Sequence, residues 1–185
     1  NPKPIFIYDK ENLRFLEVNE AALNLYGYSE DEFLQMDLTD LYTPEDLHAF
    51  LTEVYSEKSV SEELNNPDLQ FQVLTQEEKL VGFAKIGPVH VPAENPTPSA
   101  MELWQLYVRQ EFLGQGLGKK LMAWAEEQFA SRKATDIYVS VFSENERAIR
   151  FYQSHGFKKI GEYGFPVGNQ IDLEWIMHKI GSSRK

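Results

Sequence analysis

The sequence predicts an α/β fold, one mixed sheet with helices packed on it, preceded by a shorter segment of different character. Three observations carry this. After residue 67 the elements read β-β-β-α-β-α-β-β, an order that builds one sheet. Periodicity switches along that stretch between alternation and helical spacing. The 185 residues are 42% hydrophobic and 25% charged, the composition of a globular chain. That length suits one good-sized domain, or a domain with an appendage.

The elements follow in chain order. PIFIY (4–8) reads as a strand, DKEN as a turn, and LRFLEV (13–18) as the returning strand. NEAALNLYGY (19–28) reads as a short helix capped by Asn19. SEDEFLQM (29–36) reads as another, with Ser29 and Glu32 spaced for a capping box. TPEDLHAFLTEVYSE follows, with Thr43 as cap, Pro44 at N1 and Asp46 at N3. Its Leu47, Phe50, Leu51, Val54 and Tyr55 keep helical spacing, and SVSEELNN (59–66) adds a further turn or two. LQFQVLT (69–75) alternates as a strand, QEEK turns, and LVGFAKIG (80–87) is the next strand. PVHVPAENPTPSA (88–100) is a proline-rich loop. MELWQLYV (101–108) is a strand. RQEFLGQGLG leads into the helix LGKKLMAWAEEQFASR, with Leu117, Leu121, Trp124, Ala125 and Gln128/Phe129 along one face. DIYVSVF (136–142) is a buried-type strand. ENERAIRFYQSHG (144–156) is a helix closed by Gly156. FKKIGEYGF and IDLEWIMHKI pair around VGNQ.

Composition excludes several classes of function. The chain has no Cys, which removes disulfides, thiolate metal sites and thiol nucleophiles. A net charge of −11 argues against nucleic-acid and anionic-membrane partners and favours cations such as amines. The same acidity also serves plain solubility. His48, His90, His155 and His178 lack metal-ligand spacing, so no metal site is expected, and His155 reads as a surface residue. No apolar run approaches the ~20 residues of a membrane span. NPKPIFIYDKENLRF has no signal-peptide h-region, so a cytoplasmic protein is expected.

VRQEFLGQGLGKKLM places Gly114, Gly116 and Gly118 at alternate positions just before a helix. A dinucleotide-binding turn needs G-x-G-x-x-G, and this stretch is one residue short. A P-loop needs a Gly where Leu113 stands and Ser or Thr where Lys120 stands. Two readings stay open: an anion cradle of backbone N–H groups at a helix N-terminus, or a tight strand-to-helix turn.

Together, VSVFSENERAIRFYQSHGFKKIGE and ELWQLYVRQEFLGQGLGKKLM resemble the GCN5-related N-acetyltransferase (GNAT) superfamily over about residues 41–183. The family's acetyl-CoA motif is [Q/R]-x-x-G-x-[G/A], which here reads Leu113-Gly114-Gln115-Gly116-Leu117-Gly118. Leu113 departs from the pattern and removes one polar side chain near the phosphates. The resemblance implies a mixed, mostly antiparallel central sheet flanked by helices, with acetyl-CoA as acetyl donor. It implies that the strand before the loop splays from its neighbour and that pantetheine pairs with main chain near Leu106 and Val108. The pyrophosphate is expected on N–H groups from Leu113 to Lys119. Asn145 is expected on the pantetheine arm; it also suits an N-cap. Tyr152 stands where the family's general acid sits, and its alternative is a core residue beside Phe151. Glu102 stands where some members carry a base, and its alternative is a surface glutamate at a strand end. The implied reaction is direct transfer to a small-molecule primary amine.

LYTPEDLHAFLTEVYSEKSVSEELNN, VGFAKI and YGFPVGNQIDLEWIMHK look like the bacterial polyamine N-acetyltransferase branch, which implies spermidine or spermine as acceptor. The start, IFIYDKENLRFLEVNEAALNLYGYSEDEFLQMDLTDLYTPED, instead looks like the first part of a PAS domain, without the strands that complete one. We therefore divide the chain into a PAS-like segment, residues 1–42, and an acetyltransferase domain, residues 43–185. In this chimera the first segment replaces the family's first strand and helix, and PIFIY or RFLEV is expected to pair at the sheet edge. The alternative function is a sensory or interaction module that binds acetyl-CoA or a partner without turnover. Exposed terminal strands also permit a homodimer.

Overall fold

The computed structural model describes residues 6–9, 12–42, 57–167 and 170–181. The chain divides into two compact units, Lys3–Asn66 and Pro67–Lys185. The helix expected from Thr43 onward, with its caps Pro44 and Asp46, lies outside the described residues, as do parts of the DKEN and VGNQ turns.

In the first unit, β1 (Phe6–Tyr8) and β2 (Phe15–Val18) pair antiparallel as a sheet of their own. The expectation that one of them joins the main sheet is therefore not met. The hairpin spends its apolar face locally. Phe15, Val18, Ala22, Phe33 and Leu38 form a buried cluster, with the Phe15 and Phe33 rings 4.6 Å apart and Phe6 at 5.0 Å from Phe15. α1 (Glu20–Tyr26) begins where the Asn19 side chain accepts from Ala22 N at 2.9 Å. α2 (Glu30–Phe33) begins with the expected Ser29–Glu32 capping box. A further helix, α3 (Leu38–Leu41), starts with a second box from Asp37 and Asp40; sequence reasoning missed it because both partners are aspartates. α4 is Glu57–Leu64.

The second unit carries β3 (Gln70–Gln76), β4 (Lys79–Pro88), β5 (Met101–Val108), α5 (Leu117–Ser131), β6 (Asp136–Phe142), α6 (Glu146–Ser154), β7 (Lys158–Val167) and β8 (Gln170–Ile180). One six-stranded sheet runs β3-β4-β5-β6-β8-β7. Every neighbouring pair is antiparallel except β5 and β6. A parallel pair needs a crossover, and α5 supplies it. The fold is thus the mixed, mostly antiparallel α/β sheet expected. The main core joins Ile86, Leu103, Val139, Val141 and Met177 of the sheet to residues of α5 and α6. On α5 the buried stripe is Leu121, Met122, Ala125 and Phe129. It runs through Met122 where the sequence pattern favoured Trp124, which is only partly buried.

Candidate active site

The site begins where the sheet comes apart. β5 and β6 pair only at Met101–Ile137 and Glu102–Tyr138. Beyond Glu102 the strands share no register. β5 continues on β4, with Leu106 opposite Ala84 and Val108 opposite Gly82. β6 continues on β8 alone. Trp104 has a physical part in this. Lys85 pairs with Gln105 and Ile86 with Leu103, so Trp104 is an extra residue, a bulge that bends its strand. The splay expected near Leu106 and Val108 is present, and those two residues lie in the parted stretch.

The glycine loop joins this opening to α5. After a 3-10 turn (Gln110–Phe112), Gly114 and Gly116 take φ of 76° and 80°. This is the left-handed region that only glycine enters without strain. Open space surrounds the Cβ position of both. The amide of Leu113 is used within the turn, donating to Gln110 O at 3.1 Å. The amides of Gly114, Gln115, Gly116, Leu117, Gly118 and Lys119 have no acceptor among the described residues. Such a run at the positive end of a helix can hold an anion. The first turn of α5 carries no acidic residue and holds Lys119 and Lys120. Two cations at a positive helix end repel it unless an anion neutralises them. Of the two readings left open, the anion cradle is the one this geometry favours. At Gly118 a Cβ would sit 3.7 Å from the Phe151 ring and 3.9 Å from Leu106, so loop, β5 and α6 converge here.

α6 supplies two further residues. Asn145 caps it, its Oδ1 accepting from Ala148 N at 2.9 Å. Tyr152 is 3% exposed and belongs to the core, with its ring 5.6 Å from Phe151 and 5.8 Å from Phe157. Its hydroxyl makes no hydrogen bond among the described residues. Burial first, then the charge of Glu174, pushes its phenol far above the ordinary range. His155, expected on the surface, is half-buried against Phe151, 4.5 Å between rings.

Glu102 is not a surface residue; it is fully buried, because β5 starts inside the sheet and the 88–100 loop folds over it. Its Oε2 accepts from His90 N at 2.7 Å and Val91 N at 3.0 Å. Its Oε1 lies 2.8 Å from His90 Nδ1, within ion-pair reach but out of line for a hydrogen bond. Sequence reasoning left His90 without a role; only the folded loop brings it to Glu102. A second buried carboxylate, Glu174, accepts from Ser140 Oγ and from Tyr163 Oη at 3.0 Å. Burial, then the charges of Glu174 and Glu102, raise the Tyr163 phenol against the lowering pull of Ser140. Alternation could have placed Ser140, Tyr163 and Glu174 on one face, but it gives no sign of a buried acid.

A family model described as acetyltransferase (GNAT) family matches residues 36–157. The chain belongs to the GNAT acetyltransferase family. This GNAT chain is 28% identical over 137 residues to an uncharacterized N-acetyltransferase in the pepI 3' region of Lactobacillus delbrueckii subsp. lactis, covering 74% of the chain and 79% of that protein. It is 36% identical over 93 residues to the spermine/spermidine N(1)-acetyltransferase of Bacillus subtilis (strain 168), covering 50% of the chain and 61% of that protein. The GNAT chain thus spans less than two thirds of that polyamine relative. Among solved structures it is similar to the ribosomal-protein-S18-alanine N-acetyltransferase from Escherichia coli, with TM-score 0.56 and 22% identity over 80% of this chain and 91% of that one. It is also similar to the PaiA N-acetyltransferase from Thermoplasma acidophilum in complex with coenzyme A, with TM-score 0.55 and 23% identity over 77% and 82%. At these identities the likeness is one of fold. A PAS domain model matches residues 1–63, overlapping the GNAT match. No helix among the described residues is long and apolar enough to cross a membrane.

Proposed function

We propose that this GNAT chain transfers the acetyl group of acetyl-CoA directly to a primary amine of a small cationic acceptor, a polyamine in the first instance. The observation that carries the reading is the run of unpartnered amides from Gly114 to Lys119 beside the parting of β5 and β6. Those residues fit the donor's pyrophosphate: the cradle is open where any side chain would intrude, and it carries two lysines. Main chain at Leu106 and Val108 and the Asn145 side chain hold the pantetheine arm. When bound, the donor supplies a thioester carbon open to attack by a neutral amine. Tyr152 keeps its proton at neutral pH, since burial disfavours the phenolate, and delivers it from Oη to the leaving sulfur. Glu102 is the carboxylate of the base system. The polyamine choice draws on the net charge of −11 and on the names of relatives.

Calorimetric titration with acetyl-CoA, beside a Gly116→Glu variant, tests the cradle. The parent binds and the variant, whose carboxylate fills and repels the site, does not. A panel of alkylamines with release of free CoA as readout then tests transfer. One observation favours a second reading, binding without turnover: residues 3–66 form a unit with its own aromatic core and match a PAS model. Acetyl-CoA binding without CoA release from any amine is the outcome that selects it.

A further inference from the structure

We propose that His90 takes the proton from the acceptor's ammonium, and that Glu102 is its positioning residue. This rests on the acetyl-transfer reading above. Glu102 is 0% exposed, and backbone N–H groups of His90 and Val91 hold its Oε2. It therefore has no open path to an acceptor. The imidazole of His90 stands between this carboxylate and solvent, 45% exposed, with Nδ1 2.8 Å from Oε1. Among the described residues that buried oxygen accepts no hydrogen bond, a costly state for a carboxylate. Positive charge arriving on the ring relieves it, and a small turn of the half-exposed ring brings Nδ1–H into line. The other ring nitrogen, Nε2, is then the proton acceptor.

The ring is also in the right place. It stacks on Trp104 with centroids 4.3 Å apart, and Trp104 is the bulge residue. Trp104 is itself fixed, donating from Nε1 to Pro88 O at 2.8 Å. His90 thus sits beside the point where β5 leaves β6. Among the described residues, the charged groups beside it are Glu102 from β5 and the Lys85 ammonium from β4, which lies 4.6 Å from the Trp104 ring.

The proton balance closes. His90 Nε2 removes one proton from the ammonium and passes it to water. As the nitrogen bonds to the acetyl carbon and the C–S bond breaks, Tyr152 Oη gives its proton to the sulfur. Tyr152 is refilled by the second proton that the nitrogen loses. The net products are an amide, a thiol and one proton.

The test uses the full chain. His90→Phe keeps a ring on Trp104 and removes both nitrogens, and His90→Gln is the second variant. Acetyl-CoA titrations of both variants match the parent. For an alkylamine acceptor, kcat/KM at pH 7 falls by about 100-fold. The loss shrinks as pH rises towards the amine's own ionisation, to within about threefold at pH 9.5. An unchanged rate at pH 7 overturns the relay and leaves Glu102 working through water. A loss that persists at all pH values also overturns it, because a structural defect is not repaired by deprotonating the acceptor. A parent that binds acetyl-CoA but acetylates no amine defeats the transfer reading and the relay together, a result distinct from the first two.

Discussion

Burial and the Glu174 carboxylate both hold the proton on Tyr152, and the same ring packs the core between Phe151 and Phe157. Tyr152→Phe keeps the packing and removes only the proton. In the proposed reaction kcat falls by about 10² or more, while acetyl-CoA affinity by calorimetry stays that of the parent. The raised phenol also predicts a pH dependence of stability. The folded state keeps its proton where the unfolded chain, with phenols near ~10, has lost it. The contribution of Tyr152 is therefore complete below that value and is lost as pH climbs through the alkaline range towards the folded value. Urea midpoints measured above pH 10 fall more steeply for the parent than for Tyr152→Phe. Asn145 has a separable duty. Asn145→Ala loses the cap at a cost of about 1 kcal/mol, read as a shift in urea midpoint. Asn145→Asp keeps the cap, so a drop in acetyl-CoA affinity in that variant reports on the lost amide donor and the added charge, not on the cap.

Elements differ in how plainly the sequence announces them. β5 (Met101–Val108) and β6 (Asp136–Phe142) match their expected limits, because dense apolar runs bounded by loops leave no other period. The glycine loop was legible as to type, since three alternate glycines before a helix restrict the backbone strongly. The bulge at Trp104 was not legible. It exists only as a register difference between two strands, and no residue of MELWQLYV marks it. The His90–Glu102 contact joins residues twelve apart across a proline-rich loop, and pattern reasoning has no handle on loop closure. The hairpin of β3 and β4 supplies a prediction of its own. Gln76 pairs with Lys79, so Glu77 and Glu78 form a two-residue turn, with φ of 50° and 66°. Both are left-handed, a conformation costly for a side chain with Cβ and suited to Asn-Gly. Replacing Glu77-Glu78 by Asn-Gly raises stability by about 1 kcal/mol in urea unfolding.

At the scale of the whole molecule, charge governs encounter. Under the proposed function, a net charge of −11 draws a polycationic acceptor through a field that salt screens over about 10 Å at 0.1 M. Under the proposed function, raising salt from 0.05 to 0.5 M increases KM for spermidine by roughly fivefold and changes kcat little. An uncharged-tail monoamine shows a smaller shift. The change of motif pattern along the sequence falls at residues 42–43, whereas the compact units of the structure divide at Asn66–Pro67. The hairpin's isolation was not legible, because Phe6 and Phe15 as a pattern suit a sheet edge as well as a private aromatic cluster.

The two register pairs between β5 and β6 make the main sheet a garment with a short seam. On one side lies the panel β3-β4-β5 and on the other β6-β8-β7, sewn together only at Met101 and Glu102. Elsewhere the panels are held by side chains of the shared core rather than by backbone. Under the proposed function, a donor molecule that laces along Leu106 and Val108 is thread as well as reagent. Its arrival slows hydrogen exchange at the outer half of β5 and raises the melting temperature with donor concentration, as ligand linkage requires. The panel edges far from the seam, β3 and β7, keep their exchange rates.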